Sequence, residues 1–117
     1  MFVSKQLTPK QRADLEQLQQ LSQQVSILQQ NRMSMRAALQ EAESALKEIE
    51  GLSDEEEIYR LAGSIMYKTT VGKTKAKLQQ NKELYEVQLT KIENQIKASE
   101  ERMKELDAKL RKELGIA

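Results

Sequence analysis

Two long heptad patterns run through this chain of 117 residues. In the first, side chains recur at intervals of three and four residues, and only Arg32 is polar: Leu18, Leu21, Val25, Leu28, Arg32, Met35, Leu39, Ala42, Leu46 and Ile49. The second repeats this rhythm with two polar members: Lys82, Tyr85, Leu89, Ile92, Ile96, Ser99, Met103, Leu106 and Leu110. A sustained 3.5-residue period gives a helix one narrow apolar seam that must meet another helix. Two such seams in one chain predict an antiparallel two-helix coiled coil, a helical hairpin.

The composition fits solvated helices better than a large globular core. Aromatic residues make up 3% of the chain, charged residues 32%, and the net charge is +1. The chain has no Cys and no His, which removes thiolate nucleophiles, disulfides, thiolate metal sites and imidazole acid–base chemistry. The run from Asp54 to Glu57 lacks the ligand spacing of a calcium loop and indicates a solvated bend. We therefore expect a protein that is not an enzyme and that uses no cofactor and no metal.

The helices are predicted over residues 8–50 and 73–114, in a single domain covering 1–117. Thr8 and Pro9 suit the cap and first position of helix 1, and Gly51 is placed to stop it in a left-handed conformation. Residues 57–71 between the helices are rich in β-branched and aromatic residues around Gly63-Ser64. This pattern is typical of two short strands with a tight turn. The predicted fold class is mostly α, with one short β-hairpin connecting the helices.

The predicted β-hairpin indicates oligomerisation. A lone two-stranded hairpin is marginal in water, and its edges carry unpaired N–H and C=O groups that favour pairing with another chain. One coiled coil cannot cover both of its faces, so we expect hairpins from several chains to join into a larger sheet or barrel. The residues predicted to form this contact are Ile58, Tyr59, Leu61, Gly63, Ile65 and Tyr67.

Apolar residues also occur at both chain ends, where no seam partner is expected. A chain that folds back at the hairpin brings its two ends together. The residues are Phe2, Val3, Leu7, Leu114 and Ile116. Exposed apolar clusters mark interaction surfaces, although frayed termini can also contain apolar residues by chance.

The run Ala45–Leu52, the acidic bend and the run Ile58–Gly63 together resemble the β-class subunit of prefoldin, a co-chaperone of archaea and eukaryotes. Within the second run, the aliphatic, aromatic, basic and turn-glycine positions match at Ile58, Tyr59, Arg60 and Gly63. Two departures, Ala62 for the usual Val and Tyr67 for a common aliphatic residue, affect barrel packing.

The resemblance to prefoldin implies a hexamer of two alpha and four beta subunits, whose hairpins assemble into an inter-subunit β-barrel. It also implies an ATP-independent holdase, in which the coiled-coil tips bind unfolded polypeptides and deliver them to a group II chaperonin. The client-binding residues would be the apolar ones at the chain ends.

Two functions of other classes stay open beside the holdase. A structural coiled-coil spacer would use the hairpin only for assembly and would ignore unfolded clients. An RNA-binding arm is suggested by Lys73, Lys75 and Lys77, but acidic residues are interleaved along the same helix. We therefore expect no nucleic-acid partner. No apolar run approaches the roughly 18 residues of a membrane span, and the N-terminal residues lack a signal-peptide core. We expect no membrane partner and a cytoplasmic location.

Overall fold

The computed structural model describes residues 6–116. Helix α1 spans Pro9–Ile49 and helix α2 spans Val71–Leu114. Strands β1, Glu57–Ala62, and β2, Ile65–Thr70, form an antiparallel pair between the two helices in chain order. The predicted fold class, mostly α with one connecting β-hairpin, is confirmed.

The chain divides into two compact units. The terminal unit comprises Met1–Arg32 and Lys91–Ala117, of which 6–32 and 91–116 are described, and the hairpin unit comprises Met33–Thr90. Each unit contains part of both helices. A single domain over 1–117 stays a prediction.

Helix α1 begins at a reciprocal cap. The Gln11 backbone N–H donates to the Thr8 hydroxyl at 3.1 Å, and the Thr8 N–H donates to the Gln11 side-chain oxygen at 3.0 Å. This capping box satisfies two amides that would otherwise lack partners, with Pro9 at the first helical position. The predicted Thr8 cap is present, and Gln11 supplies its second half.

The other end of α1 differs from the prediction. The helix ends at Ile49, and Gly51 has no positive φ. The Leu52 N–H donates to the Ile49 carbonyl at 3.1 Å, so the chain leaves the helix through a turn that needs no left-handed residue. The prediction of a left-handed Gly51 is wrong.

Helix α2 begins at Val71, two residues before the predicted start. The Thr70 hydroxyl accepts the Lys73 N–H at 3.3 Å and caps the helix. The acidic bend accepts two more amides, because Val71 donates to the Glu56 carbonyl and Gly72 donates to the Asp54 carbonyl, each at 2.9 Å. A Cβ on Gly72 would lie 3.2 Å from the Asp54 Cβ and carbonyl oxygen. Gly72 therefore permits the close approach of the bend.

A Schellman motif closes α2. Gly115 has a φ of 71°. Its N–H donates to the Lys112 carbonyl at 3.3 Å, and the Ile116 N–H donates to the Arg111 carbonyl at 2.8 Å. This pattern of bonds turns the residue after the glycine back along the helix and brings it against the last apolar turn. The motif thus sets the position of Ile116.

The predicted seams are the buried stripes of both helices. Every heptad position named above is buried or half-buried. In the terminal unit the most buried seam side chains are Val25, Ile96, Leu106 and Leu110, and in the hairpin unit the buried side chains are Ala42, Val71, Thr74 and Leu78. The α2 seam therefore starts before Lys82. Thr74 fits there because its hydroxyl donates to the Thr70 carbonyl at 2.9 Å.

Candidate functional site

The β-hairpin has a single register, set by a two-residue turn at Gly63-Ser64. Leu61 pairs with Met66 and Ala62 with Ile65 on either side of that turn. Gly63 has a φ of 60°, and within residues 6–116 no residue other than a glycine has a positive φ. A positive φ at only the first central position is the signature of a type II′ turn, whose twist matches that of paired strands. The register in turn fixes which side chains share a face.

One face of the hairpin is open to solvent. Residues directly paired across an antiparallel ladder share a face, as do residues two apart on a strand. Tyr59, Leu61 and Met66 lie together on this face, with exposed fractions of 69%, 68% and 67%. We call these three residues the exposed hairpin face.

The opposite face of the hairpin packs toward the helices of the hairpin unit. Ile58, Arg60 and their neighbour Thr69 are half-buried. Ile58 and Arg60 line one hollow with Ala42 of α1 and Leu78 of α2, and Tyr59 and Leu61 also reach this hollow. Burial thus distinguishes the two faces, because the exposed hairpin face keeps about two-thirds of its side-chain surface in solvent.

The structure divides the residues predicted for oligomerisation between the two faces. Tyr59 and Leu61 belong to the exposed hairpin face, and Gly63 makes the turn. The pairing places Ile58, Ile65 and Tyr67 on the opposite face, where Ile58 is half-buried within the chain and the other two stay exposed. Met66 was missing from the predicted set. The strand register identifies Met66 as a member of the exposed hairpin face, because Met66 pairs directly with Leu61.

A second apolar surface lies in the terminal unit. Leu7, Leu114 and Ile116, predicted from the chain ends, are half-buried and line one hollow together with Leu15 and Leu110. We call these five residues the terminal cluster. Leu15, which was not predicted here, is partly exposed one helical turn after Gln11. Phe2 and Val3, also predicted here, lie outside the described residues.

Polar side chains join the two helices next to the terminal cluster. The Lys109 ammonium donates to the Asp14 carboxylate at 3.1 Å, and the Gln11 side-chain amide donates to the Glu113 carboxylate at 3.2 Å. The Asp14 side chain is only 13% exposed. Its hydrogen bond raises the pKa of Lys109 above the ordinary value, with a smaller opposing effect from desolvation. These contacts show that α1 and α2 run antiparallel within the terminal unit.

The chemistry of both surfaces is that of protein binding. Each presents aliphatic or aromatic side chains at the protein surface, where a partner could remove apolar area from water. Among residues 6–116, no group of three carboxylates is placed to hold a metal ion. Neither helix, over the part of the chain that is described, has an apolar stretch long enough to cross a bilayer.

Comparisons with known proteins agree with this geometry. A family model described as "Prefoldin subunit" matches residues 12–116. The chain is 36% identical over 108 residues to the prefoldin subunit beta of Thermococcus kodakarensis, covering 92% of each chain. It is 31% identical over 113 residues to the prefoldin subunit beta of Methanococcoides burtonii, covering 97% of each. Both relatives are archaeal.

A solved structure gives the same result for the fold. The crystal structure of the prefoldin beta subunit from Thermococcus strain KS-1 matches with a TM-score of 0.81 and 36% identity, covering 93% of this chain and 96% of that one. The match includes both helices and the hairpin between them, because so little of either chain is left out. The chain belongs to the prefoldin subunit family.

Proposed function

We propose that this chain is the beta-type subunit of a hetero-hexameric holdase that works without ATP and binds unfolded polypeptides through its terminal cluster. The chaperone role itself follows from membership of the prefoldin family. The proposal assigns assembly to the exposed hairpin face and client binding to the terminal cluster. It includes transfer of the client to a group II chaperonin in the cytoplasm, which rests on the family resemblance.

The exposed hairpin face supports assembly with other prefoldin subunits. Tyr59, Leu61 and Met66 are about two-thirds exposed within a single chain. Burying large apolar side chains is worth roughly 1.5–3 kcal/mol each, so three of them can drive a stable contact. We propose that hairpins of two alpha and four beta subunits meet through such faces in a β-barrel, with each hairpin held in register by its type II′ turn.

The terminal cluster supports client binding, and it is the single observation on which the holdase proposal depends. Its side chains come from both ends of the chain and line a hollow that opens to solvent. Exposed apolar segments of an unfolded protein can enter such a hollow without a fixed sequence. Each contact is weak, but several subunits in one assembly act on one client and raise its effective concentration at the next site.

A triple variant tests the terminal cluster. Leu7→Ser, Leu114→Ser and Ile116→Ser together replace three of its five apolar side chains and leave the seam intact. The matched control is Ile27→Ser, Met33→Ser and Val87→Ser, which replaces three well-exposed apolar residues elsewhere. Both proteins are mixed with their partner subunits, and their native mass and suppression of aggregation of a denatured client are measured.

We expect both triple variants to keep the mass of the wild-type assembly. Only the terminal-cluster variant should lose suppression of aggregation. Full suppression by that variant would contradict the holdase proposal and favour the structural spacer, which needs the hairpin but not the chain ends.

A further inference from the structure

We propose that the client site continues from the terminal cluster along one side of the coiled coil, as a groove that holds a client segment in extended conformation. This inference rests on the proposed function and adds the location, length and chemistry of the binding surface. It concerns the terminal unit alone.

The groove is formed by two hollows that join. The hollow of the terminal cluster and a second one share Leu18 and Asp107 among their lining residues. The floor of the joined groove is made by the seam residues Val25, Met103 and Leu110, besides Leu18. A client side chain that enters at the terminal cluster therefore meets a continuous apolar floor.

The α1 wall of the groove carries no charge. Residues 17–31 form an unbroken run of fifteen uncharged residues in a chain in which 32% are charged. Four exposed members of that run line the groove at intervals of three and four residues, which places them on one stripe of the helix: Gln19, Ser22, Ser26 and Gln29. These side chains offer hydrogen-bond donors and acceptors without the desolvation cost of an ion.

The α2 wall of the groove is charged but mixed in sign. Glu100 and Asp107 are acidic, and Lys104 and Arg111 are basic. A wall of mixed charge opposite a neutral wall favours neither acidic nor basic segments. This balance suits a surface that binds clients of many sequences, because their shared chemistry is apolar side chains on a polar backbone.

The neutral wall favours an extended occupant over a helical one. An extended segment has backbone N–H and C=O groups without partners, and these need hydrogen bonds when water leaves. The amides of Gln19 and Gln29 can both donate and accept. A third helix would satisfy its own backbone and would need apolar residues on this stripe to form a seam, but the stripe is polar.

The groove has room for a short segment. Its α1 wall runs from Leu15 in the terminal cluster to Gln29, a distance of about 21 Å at about 1.5 Å per residue. An extended strand rises about 3.3 Å per residue, so roughly six client residues fill that length.

A pair of double variants tests the groove. Gln19→Glu with Gln29→Glu places two carboxylates on the neutral wall. Gln23→Glu with Gln30→Glu makes the same chemical change at exposed positions of α1 that do not line the groove. The probe is a fluorescent peptide of Val, Thr and Leu with a central Pro, which prevents it from forming a helix. Its dissociation constant is measured for the full chain assembled with partner subunits, with helix content checked by circular dichroism.

We expect the groove variant to bind the peptide roughly tenfold more weakly than the wild type, because its carboxylates lose water without gaining a partner. The control variant should match the wild type. Equal affinity of the groove variant and the wild type, or an equal loss in the control, would overturn the groove. If the triple variant of the terminal cluster loses binding in either of those cases, the holdase proposal survives and only the groove fails. A wild-type assembly that binds no unfolded protein would overturn both.

Discussion

The two apolar surfaces of this molecule are built on opposite principles. The exposed hairpin face sits on a hydrogen-bonded ladder with one register, supported from behind by Ile58 and its helical neighbours. The terminal cluster sits where two helices end, and end-capping bonds and two polar contacts between the helices hold it in place. Both surfaces are apolar and reachable from solvent, but only the first has its side chains ordered by a sheet.

That difference suits the two kinds of partner proposed for these surfaces. A neighbouring subunit always presents the same shape, so a surface with fixed register can match it and gain specificity. An unfolded client presents a different sequence each time, and helix ends are among the regions that open at low free-energy cost. In the proposed function, the same apolar chemistry serves specific assembly in one unit and tolerant binding in the other.

Placing charge on the exposed hairpin face should have the strongest consequence for assembly. Leu61→Asp with Met66→Asp should abolish assembly, because carboxylates without partners are costly to bury in an interface. Leu84→Asp with Val87→Asp, at exposed positions of α2 in the same unit, should leave the assembly unchanged. Native mass after mixing with partner subunits measures both. A full-size assembly formed by the hairpin variant would show that this face is not the contact.

A cavity in the seam of the terminal unit should destabilise that unit more than the hairpin unit. Leu106 is 1% exposed, and Leu106→Ala should lower the free energy of unfolding by about 3 kcal/mol through lost burial and the cavity left behind. Ile27→Ala in the same unit, at 59% exposure, should cost well under about 1 kcal/mol. Denaturant unfolding measures both changes. Hydrogen exchange should show faster opening mainly in 91–116, and an equal loss of protection across 57–70 would mean that the units open together.

The two left-handed glycines allow a matched test of each unit. Gly63→Ala and Gly115→Ala should each cost about 1 kcal/mol, because a Cβ is unfavourable at positive φ. The first should weaken assembly and the second should weaken client binding. Gly51→Ala is the control, since its φ is not positive and no atom lies within 4 Å of the added Cβ. Thermal unfolding, native mass and peptide binding are compared, and a loss of assembly caused by Gly115→Ala would contradict the division of roles.

The stability of the terminal unit should depend weakly on pH, and this is the least of the changes predicted here. The pKa of Lys109 is raised above its ordinary value of 10.5, chiefly by its hydrogen bond to Asp14. A raised lysine pKa means that the folded state holds the proton more tightly than the unfolded chain. The contribution to stability is therefore fully present below pH 10.5 and is lost as the pH rises through the folded-state value. The melting temperature of Lys109→Gln should fall below that of the wild type at neutral pH and converge with it in strong alkali. A constant difference across that range would exclude this linkage.

Every seam position predicted from the heptads is buried or half-buried, but the seams also include positions outside the predicted heptads, such as Val71 and Leu78. Heptad periodicity is local, so each apolar position reports its own burial. Asp14 continues the heptad before Leu18, and Thr74 lies one turn before Leu78, outside the strict period. Both are polar, and their burial depends on partners that only the folded chain supplies: Lys109 from the other helix and the Thr70 carbonyl from the preceding turn. The apolar pattern alone does not identify such positions.

The faces of the hairpin and the roles of the glycines were also hidden from sequence reasoning. Both strands carry apolar residues on both faces, so alternation does not distinguish the face that Ile58 packs from the one that Tyr59 exposes. Gly51 and Gly72 flank the same bend, and either could have been the left-handed residue. The structure shows that neither is, because Gly72 is needed for close contact with Asp54 and Gly51 lies in an ordinary turn.

The side chain of Gln11 links the cap of α1 to the last turn of α2. Its oxygen accepts the Thr8 N–H while its nitrogen donates to Glu113. A glutamate at position 11 would keep the first bond and replace the second by repulsion between two carboxylates. Evolutionary drift at positions 11 and 113 should therefore be coupled, so that an acidic residue at 11 is accepted where 113 has become basic. Two sites 102 residues apart in the sequence should therefore covary among related proteins.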